Sequence, residues 1–140
     1  MEPDSLSDRE VAGPLLDPHR IRDARAEMSR HVGVIRDEGS LAAAAGALGA
    51  IAREMPSNTP PSRRSWEGTN VLTVAAAVVA AAQARTESRG CHRRTDFPTP
   101  DDRWLAHLDV TLDVAGLLHV EGGPVVARVA ATSDARGSDA

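Results

Sequence analysis

Ile21, Ala24, Met28, Val32 and Ile35 recur at spacings of three and four, which sets them on one face of a helix. Asp17-Pro18 ahead of them suits a helix start, with the carboxylate at the N-cap and proline in the first helical position. Gly39 predicts the stop, in the left-handed conformation that favours glycine. A second stripe, Leu41, Ala44, Ala45, Leu48, Ile51, Ala52 and Met55, follows Ser40 as a capping residue and is closed by Pro56. Gly46 and Gly49 each cost about 1 kcal/mol relative to alanine inside a helix, so the pair predicts close approach of a neighbouring helix. After a turn-rich linker over residues 57–65, a third helix is predicted from Trp66 or Thr69 to Ser88. It is apolar nearly all round between Val71 and Ala82, which marks it as the central, most buried helix.

Beyond Pro98 the period changes to two. Trp104, Ala106, Leu108, Val110, Leu112, Val114, Gly116, Leu118 and Val120 occupy even positions, and the odd positions include His107, Asp109, Thr111, Asp113, His119 and Glu121. That alternation predicts one strand, or two strands turning near Ala115-Gly116, with one face covered. Gly122-Gly123-Pro124 reads as a turn, and Val125 to Ala130 as a short further strand. The predicted fold is mainly α, a three-helix antiparallel bundle followed by a short β-strand or hairpin extension. Residues 1–16 form a flexible leader in this reading, 17–98 the helical bundle, 99–130 the strand or hairpin extension, and 131–140 a disordered tail.

Composition narrows the function more than the fold. The 140 residues suit one domain. Phe97, Trp66 and Trp104 are the only aromatics, so the core must be aliphatic, with much alanine that buries little area per residue. A thin core of that kind predicts a helical unit that leans on a partner surface. The net charge of −4 argues against nucleic-acid binding, which calls for a strongly positive face. All the basic side chains are arginine, giving planar, forked donors for carboxylates. Cys91 is the single cysteine, which excludes an internal disulfide and suits a reducing compartment. The acidic first ten residues do not resemble a secretory signal, and the Val71–Ala82 run falls short of the ~20 residues that cross a bilayer. A cytoplasmic location without membrane insertion is expected.

The candidate chemistry is concentrated in Arg85-Thr86-Glu87-Ser88-Arg89-Gly90-Cys91-His92-Arg93-Arg94-Thr95-Asp96-Phe97-Pro98. Arg85, Glu87, Arg89 and Gly90 are expected at the last turn of the third helix, where cations meet the negative end of the helix dipole. Gly90 supplies the left-handed residue that reverses the chain. An extended return then sets His92, Arg94 and Asp96 on one side and Arg93 and Thr95 on the other. Glu87 and Asp96 are expected to neutralise Arg89 and Arg94 in a partly buried network. Cys91-His92 lacks a second ligand at zinc spacing, and neighbours on an extended chain point apart, which disfavours a nucleophile–base pair. His19, His31, His107 and His119 are scattered over different elements, and Trp66 and Trp104 are expected as core anchors.

This segment resembles the carboxy-terminal helical domain of the flavoproteins that include L-aspartate oxidase and the flavoprotein subunits of succinate dehydrogenase and fumarate reductase. Those proteins carry a pattern like Glu-Ser-Arg-Gly-x-His-x-Arg-x-Asp-aromatic-Pro. It is matched here by Glu87, Ser88, Arg89, Gly90, His92, Arg94, Asp96, Phe97 and Pro98. Arg25 to Met28, with the following Val32-Gly33-Val34-Ile35-Arg36, is similar to that domain's opening. Ala84-Arg85-Thr86 and Cys91 look most like L-aspartate oxidases of actinobacterial type, whereas Asp101-Asp102-Arg103-Trp104-Leu105-x-His107 leans toward the dehydrogenase branch.

The resemblance covers about residues 18 to 108 and implies a spectrin-repeat-like helical domain that packs on a flavin-binding, catalytic domain. It implies FAD for the full-length enzyme, which oxidises L-aspartate to iminoaspartate in NAD biosynthesis. These residues carry no Gly-x-Gly-x-x-Gly after a strand, so no dinucleotide site is expected within them. No residue is therefore assigned a catalytic, cofactor-binding or metal-ligating role. Glu87, Ser88, Arg89, Gly90, His92, Arg94 and Asp96 are expected to form a structural, interdomain surface. The alternative is a stand-alone protein–protein interaction module, or the equivalent domain of a succinate dehydrogenase or fumarate reductase flavoprotein.

Overall fold

The computed structural model describes residues 14–123 apart from Ser57. Most of the leader, the short strand predicted from Val125 and the predicted tail lie outside the described residues. The fold is mainly helical, with two small sheets. A 3₁₀ turn over Pro18–Arg20 leads into α1 (Ile21–His31), followed by β1 (Ile35–Arg36), α2 (Glu38–Arg53) and α3 (Arg63–Ala84). β2 (Arg93–Arg94), a 3₁₀ turn over Asp102–Trp104, β3 (Leu108–Leu112) and β4 (Leu118–Gly122) complete it. Each of the three helices packs against the other two, and β3 and β4 lie against α3.

The helix starts follow from local chemistry. Asp17 accepts a hydrogen bond from the His19 N–H ahead of Pro18. Asp37 and Ser40 make a reciprocal capping box at the start of α2, and Ser62 and Ser65 make another at the start of α3. Such boxes satisfy backbone donors that a helix start leaves orphaned. Ser40 is therefore the third residue of α2 rather than its cap.

Two helix ends differ from the pattern. The stripe predicted to run through Ile35 to Gly39 is cut at His31, because the next residues pair with a distant strand. The Arg93 N–H donates to the Val34 carbonyl and the Thr95 N–H to the Arg36 carbonyl, forming the parallel β1–β2 ladder. Gly39 then lies in the first turn of α2, with negative φ. α3 stops at Ala84, not Ser88, because Arg85 is extended (φ −83°, ψ 107°). Tertiary pairing overrides local helical pattern in both places.

The core is aliphatic, as the composition requires. Leu16, Ala24, Ala44, Leu48, Ile51, Leu72, Ala75 and Val79 form one buried cluster, against which Ile21, Met28, Val32 and Met55 pack. Leu15 and Leu16 are buried, and the Leu16 N–H donates to Thr69 Oγ1 at 2.9 Å, so the packed unit begins inside the stretch read as leader. Gly46 and Gly49 serve no close helix approach: Gly46 has no neighbour within 4 Å, and a Cβ on Gly49 would meet only Arg53 of its own helix. The close approach falls at Gly68, where a Cβ would lie 2.7 Å from Ile21 Cγ1. α3 is buried on one side only, with Val74 and Val78 exposed. Trp104 is buried but Trp66 is exposed, so one of the two expected anchors is absent from the core.

β3 and β4 form the antiparallel hairpin that the alternation predicts, with Val110 opposite Val120 and Leu112 opposite Leu118. Leu108, Val110, Leu118 and Val120 are half-buried, and the alternate positions are exposed. The pattern does not extend to its ends: Trp104 sits in a 3₁₀ turn, and Leu112 and Val114 are exposed. No helix among the described residues is long and apolar enough to cross a membrane.

Candidate functional site

The end of α3 and the start of α2 meet beneath residues 85–97, and two charge clusters hold them there. Arg94 is the centre of the first. Its guanidinium is fully buried and grips Asp96 bidentately, with Nε 2.7 Å from Oδ1 and Nη2 2.6 Å from Oδ2. Nη2 also donates to Glu38 Oε2 at 3.1 Å, and Nη1 donates to the Ala82 carbonyl at 3.0 Å. Asp96 Oδ2 in turn accepts the Glu38 N–H at 3.0 Å. The ion pair thus sets a cation on the C-terminus of α3 and an anion on the N-terminus of α2. Each charge matches the helix dipole it faces, and forked carboxylate pairing suits arginine rather than lysine.

Glu87 is the centre of the second cluster and is also fully buried. It accepts from Arg85 Nη1, from Arg89 Nε at 3.2 Å and from the Asp101 N–H at 2.9 Å. Arg85 donates onward to the carbonyls of Trp104 (2.9 Å) and Ala106 (2.6 Å), and its guanidinium lies 5.3 Å from the centre of the Trp104 ring. Arg85 is also the residue whose extended backbone ends α3. Arg89 also donates to the Asp101 carbonyl and pairs with Asp102.

Ser88 and Gly90 set the backbone between the clusters. The buried Ser88 hydroxyl accepts the Arg94 N–H at 2.8 Å and donates to the Phe97 carbonyl at 2.8 Å. Gly90 has φ +57°, a region costly for other residues, and lets Arg89 and His92 exchange backbone hydrogen bonds at 2.8 and 2.9 Å. His92 Nε2 lies 3.1 Å from the Arg85 carbonyl. The Phe97 ring lies 5.1 Å from the Arg94 guanidinium.

Proton affinities follow this geometry. The Arg94 hydrogen bonds hold the Asp96 carboxyl down at about 2, against the opposing effect of burial. Burial pushes the Glu87 carboxyl up, but the Asp101 N–H, Arg89 and Arg85 outweigh it and leave it below the usual carboxylate range. Burial lowers the His92 imidazole, the Arg85 carbonyl partly opposes this, and Arg36, Arg94 and Arg85 lower it further.

All seven sequence-selected residues meet at this end of the molecule: Glu87, Ser88 and Arg94 are buried, Arg89 and His92 half-buried, and Gly90 and Asp96 nearer solvent. Arg93 and Thr95 are exposed on the opposite side, as the alternation predicts. None of Glu87, Ser88, Arg89, Gly90 belongs to α3, however, and the cation on that helix end comes from β2 instead. Glu38, which completes the Arg94 site from 56 residues away, gave no local signal. Arg85 was visible as part of the charged segment, but its tie to Trp104 was not.

The arrangement can brace two helix ends and present a rigid surface. Its described residues do not fit a dinucleotide cofactor. The parallel ladder is two residues per strand, no glycine-rich turn joins a strand to a helix N-terminus, and Arg85, Arg89 and Arg94 are already committed to carboxylates. Among the described residues, no group of three or more His, Cys, Asp or Glu is placed to hold a metal ion.

Residues 22–133 match the family model described as the fumarate reductase flavoprotein C-terminus. The chain is similar to an L-aspartate oxidase of Streptomyces coelicolor, at 40% identity over 71% of this chain and 19% of that protein. It is similar to an L-aspartate oxidase of Rhodospirillum rubrum, at 41% identity over 63% of this chain and 29% of that protein. A fumarate reductase flavoprotein subunit of Mycobacterium tuberculosis is 47% identical over 42% of this chain and 10% of that protein. The chain therefore matches less than a third of the length of each of these relatives.

Proposed function

The chain belongs to the fumarate reductase flavoprotein C-terminal family, and from that premise we propose that it is the C-terminal helical domain, or a fragment, of an L-aspartate-oxidase-like FAD-dependent oxidoreductase. In this reading it packs on a flavin-binding domain outside these residues, where FAD is held and L-aspartate is oxidised to iminoaspartate for NAD biosynthesis, in the cytoplasm. Glu87, Ser88, Arg89, Gly90, His92, Arg94 and Asp96 serve as the structural, interdomain motif and not as catalytic groups.

The Arg94–Asp96 pair carries the proposal. A fully buried guanidinium tied to Asp96, Glu38 and the end of α3 is an expensive way to stabilise a small domain, because desolvation offsets much of the attraction. Such a pair makes sense where a defined surface has to be held in register. The buried Arg94 and Glu87 are both tied to charged neighbours and backbone within the domain, which supports a structural rather than a substrate-binding role. The Arg94–Asp96 pair gathers the end of α3 and the start of α2, which supports an antiparallel, spectrin-repeat-like three-helix bundle.

The breadth of the aspartate oxidase matches favours that branch over the fumarate one, whose relative is more identical over a shorter stretch. Co-expression with an L-aspartate oxidase truncated before its C-terminal domain tests the proposal. The chain should be recovered in a one-to-one yellow complex, while the chain alone shows no flavin absorption. Flavin bound by the chain alone, or failure to capture the truncated enzyme, would overturn it.

A further inference from the structure

We propose that residues 125–130 add a third strand along the outer edge of β4 and close the apolar hollow between α2, α3 and the tip of the hairpin. Residues 124–140 lie outside the described ones. The contact is internal to the chain, so it goes beyond the domain reading and holds whatever the domain packs on.

The hairpin leaves room for such a strand. Among the described residues β3 and β4 pair only with each other, which leaves β4 an open edge of the kind that folded proteins normally cover. Leu118 and Val120 on β4 are only half-buried, and Leu112, opposite Leu118, is 53% exposed. Beside them Leu48, Ala52, Met55, Leu72, Leu112 and Leu118 border a largely apolar hollow of about 330 Å³.

The chain is delivered to that hollow. β4 runs away from the hairpin tip, from Leu118 to Gly122, over about 13 Å at ~3.3 Å per residue. Gly122 and Gly123 then have φ +92° and +149°, values that other residues adopt only with strain, and Pro124 follows. A reversal there returns the next strand along β4 toward the tip. The four steps from Val125 to Val129 match the four from Gly122 back to Leu118, so Val129 arrives beside the hollow.

The side chains of the segment suit both faces of the hairpin. Val125, Ala127 and Val129 alternate with Val126, Arg128 and Ala130, so a strand here sets three apolar residues on one face and Arg128 on the other. The apolar set faces the hollow. On the exposed face of the hairpin, Asp109 stands directly opposite Glu121. Like charges so placed repel, and the neighbouring His119 is already tied to Asp113 at 2.8 Å. Arg128 is the only basic residue between Gly123 and Ala135, and the same alternation brings it to the face of Glu121.

Solution NMR of the whole chain tests this. Nuclear Overhauser contacts should join Val125, Ala127 and Val129 to Leu118 and Val120. Amides of residues 125–130 should exchange at least about tenfold more slowly than in a free peptide of that sequence. Val129→Asp should remove the contacts and the protection, whereas Val126→Asp, on the outward face, keeps both. Absence of contacts or protection in the unaltered chain overturns the proposal, as does an equal effect of the two variants. Contacts found only between labelled and unlabelled chains in a mixed sample assign the hollow to a second copy and also overturn it.

Discussion

Arg94 reaches from β2 to the last turn of α3 and donates Nη1 to the Ala82 carbonyl at 3.0 Å. The cation that answers the α3 dipole therefore arrives twelve residues later in the chain, after a glycine-mediated reversal. Its partner Asp96 performs the converse role at the first N–H of α2. One ion pair closes two helices.

Asp96→Ala should cost more than Arg94→Met. Removing Asp96 strands a guanidinium that is fully buried, with only the exposed Glu38 left as a carboxylate partner, a situation that costs about 3–5 kcal/mol. Arg94→Met keeps much of the apolar volume and leaves Asp96 and Glu38 able to reach water, so the loss should be about half as large. Urea unfolding of the two variants, compared at neutral pH, gives the order.

Stability should fall as pH drops, first through His92 and then through carboxyls held low in the fold, Asp96 and Glu87 among them. His92 holds its proton more weakly when folded than the ordinary value of 6.5, so below that pH the unfolded chain takes up a proton that the fold refuses, and stability declines. His92→Gln should flatten this first step. Asp96 is held at about 2 against an ordinary 3.8. Its contribution is complete above 3.8 and is lost as pH falls from there toward 2, the unfolded chain again binding the proton first. Urea midpoints from pH 7.5 to 2.5 in His92→Gln and Asp96→Asn separate the steps.

Two glycine substitutions should act in opposite directions. Gly68→Ala places a methyl 2.7 Å and 2.9 Å from Ile21 Cγ1 and Cδ1 and 3.3 Å from Leu16 Cδ2, and should destabilise by about 1–3 kcal/mol. Gly46→Ala is exposed in the interior of α2 with nothing within 4 Å, and should stabilise by about 1 kcal/mol. Thermal unfolding distinguishes them, since both sit in helices that the packing retains.

What the sequence revealed depended on how far apart the interacting residues lie. The stripe Leu41, Ala44, Leu48 and Ile51 is buried as the helical period requires, and the hairpin follows from strict alternation. The pairing of Arg89 with Glu87 and Arg94 with Asp96 was visible because each partner is two residues away. Gly90 was legible because the chain must reverse there. Glu38 was not, nor was the loss of the last predicted turns of α1 and α3, since both depend on strands or carbonyls found only after folding. The glycine that packs, Gly68, and the ones that do not, Gly46 and Gly49, are locally alike. Only the position of Ile21 across the α1–α3 contact separates them. Trp66 and Trp104 are a similar pair: one is exposed and the other is covered by Arg85, which a count of aromatics cannot distinguish.

The most direct measurement is aspartate-dependent hydrogen peroxide release from an L-aspartate oxidase lacking its C-terminal domain, assayed with and without the purified chain. Release should be negligible from either component alone, and restored and FAD-dependent when the two are combined at one-to-one stoichiometry. Release from the chain by itself, or no gain when the two are combined, would contradict it.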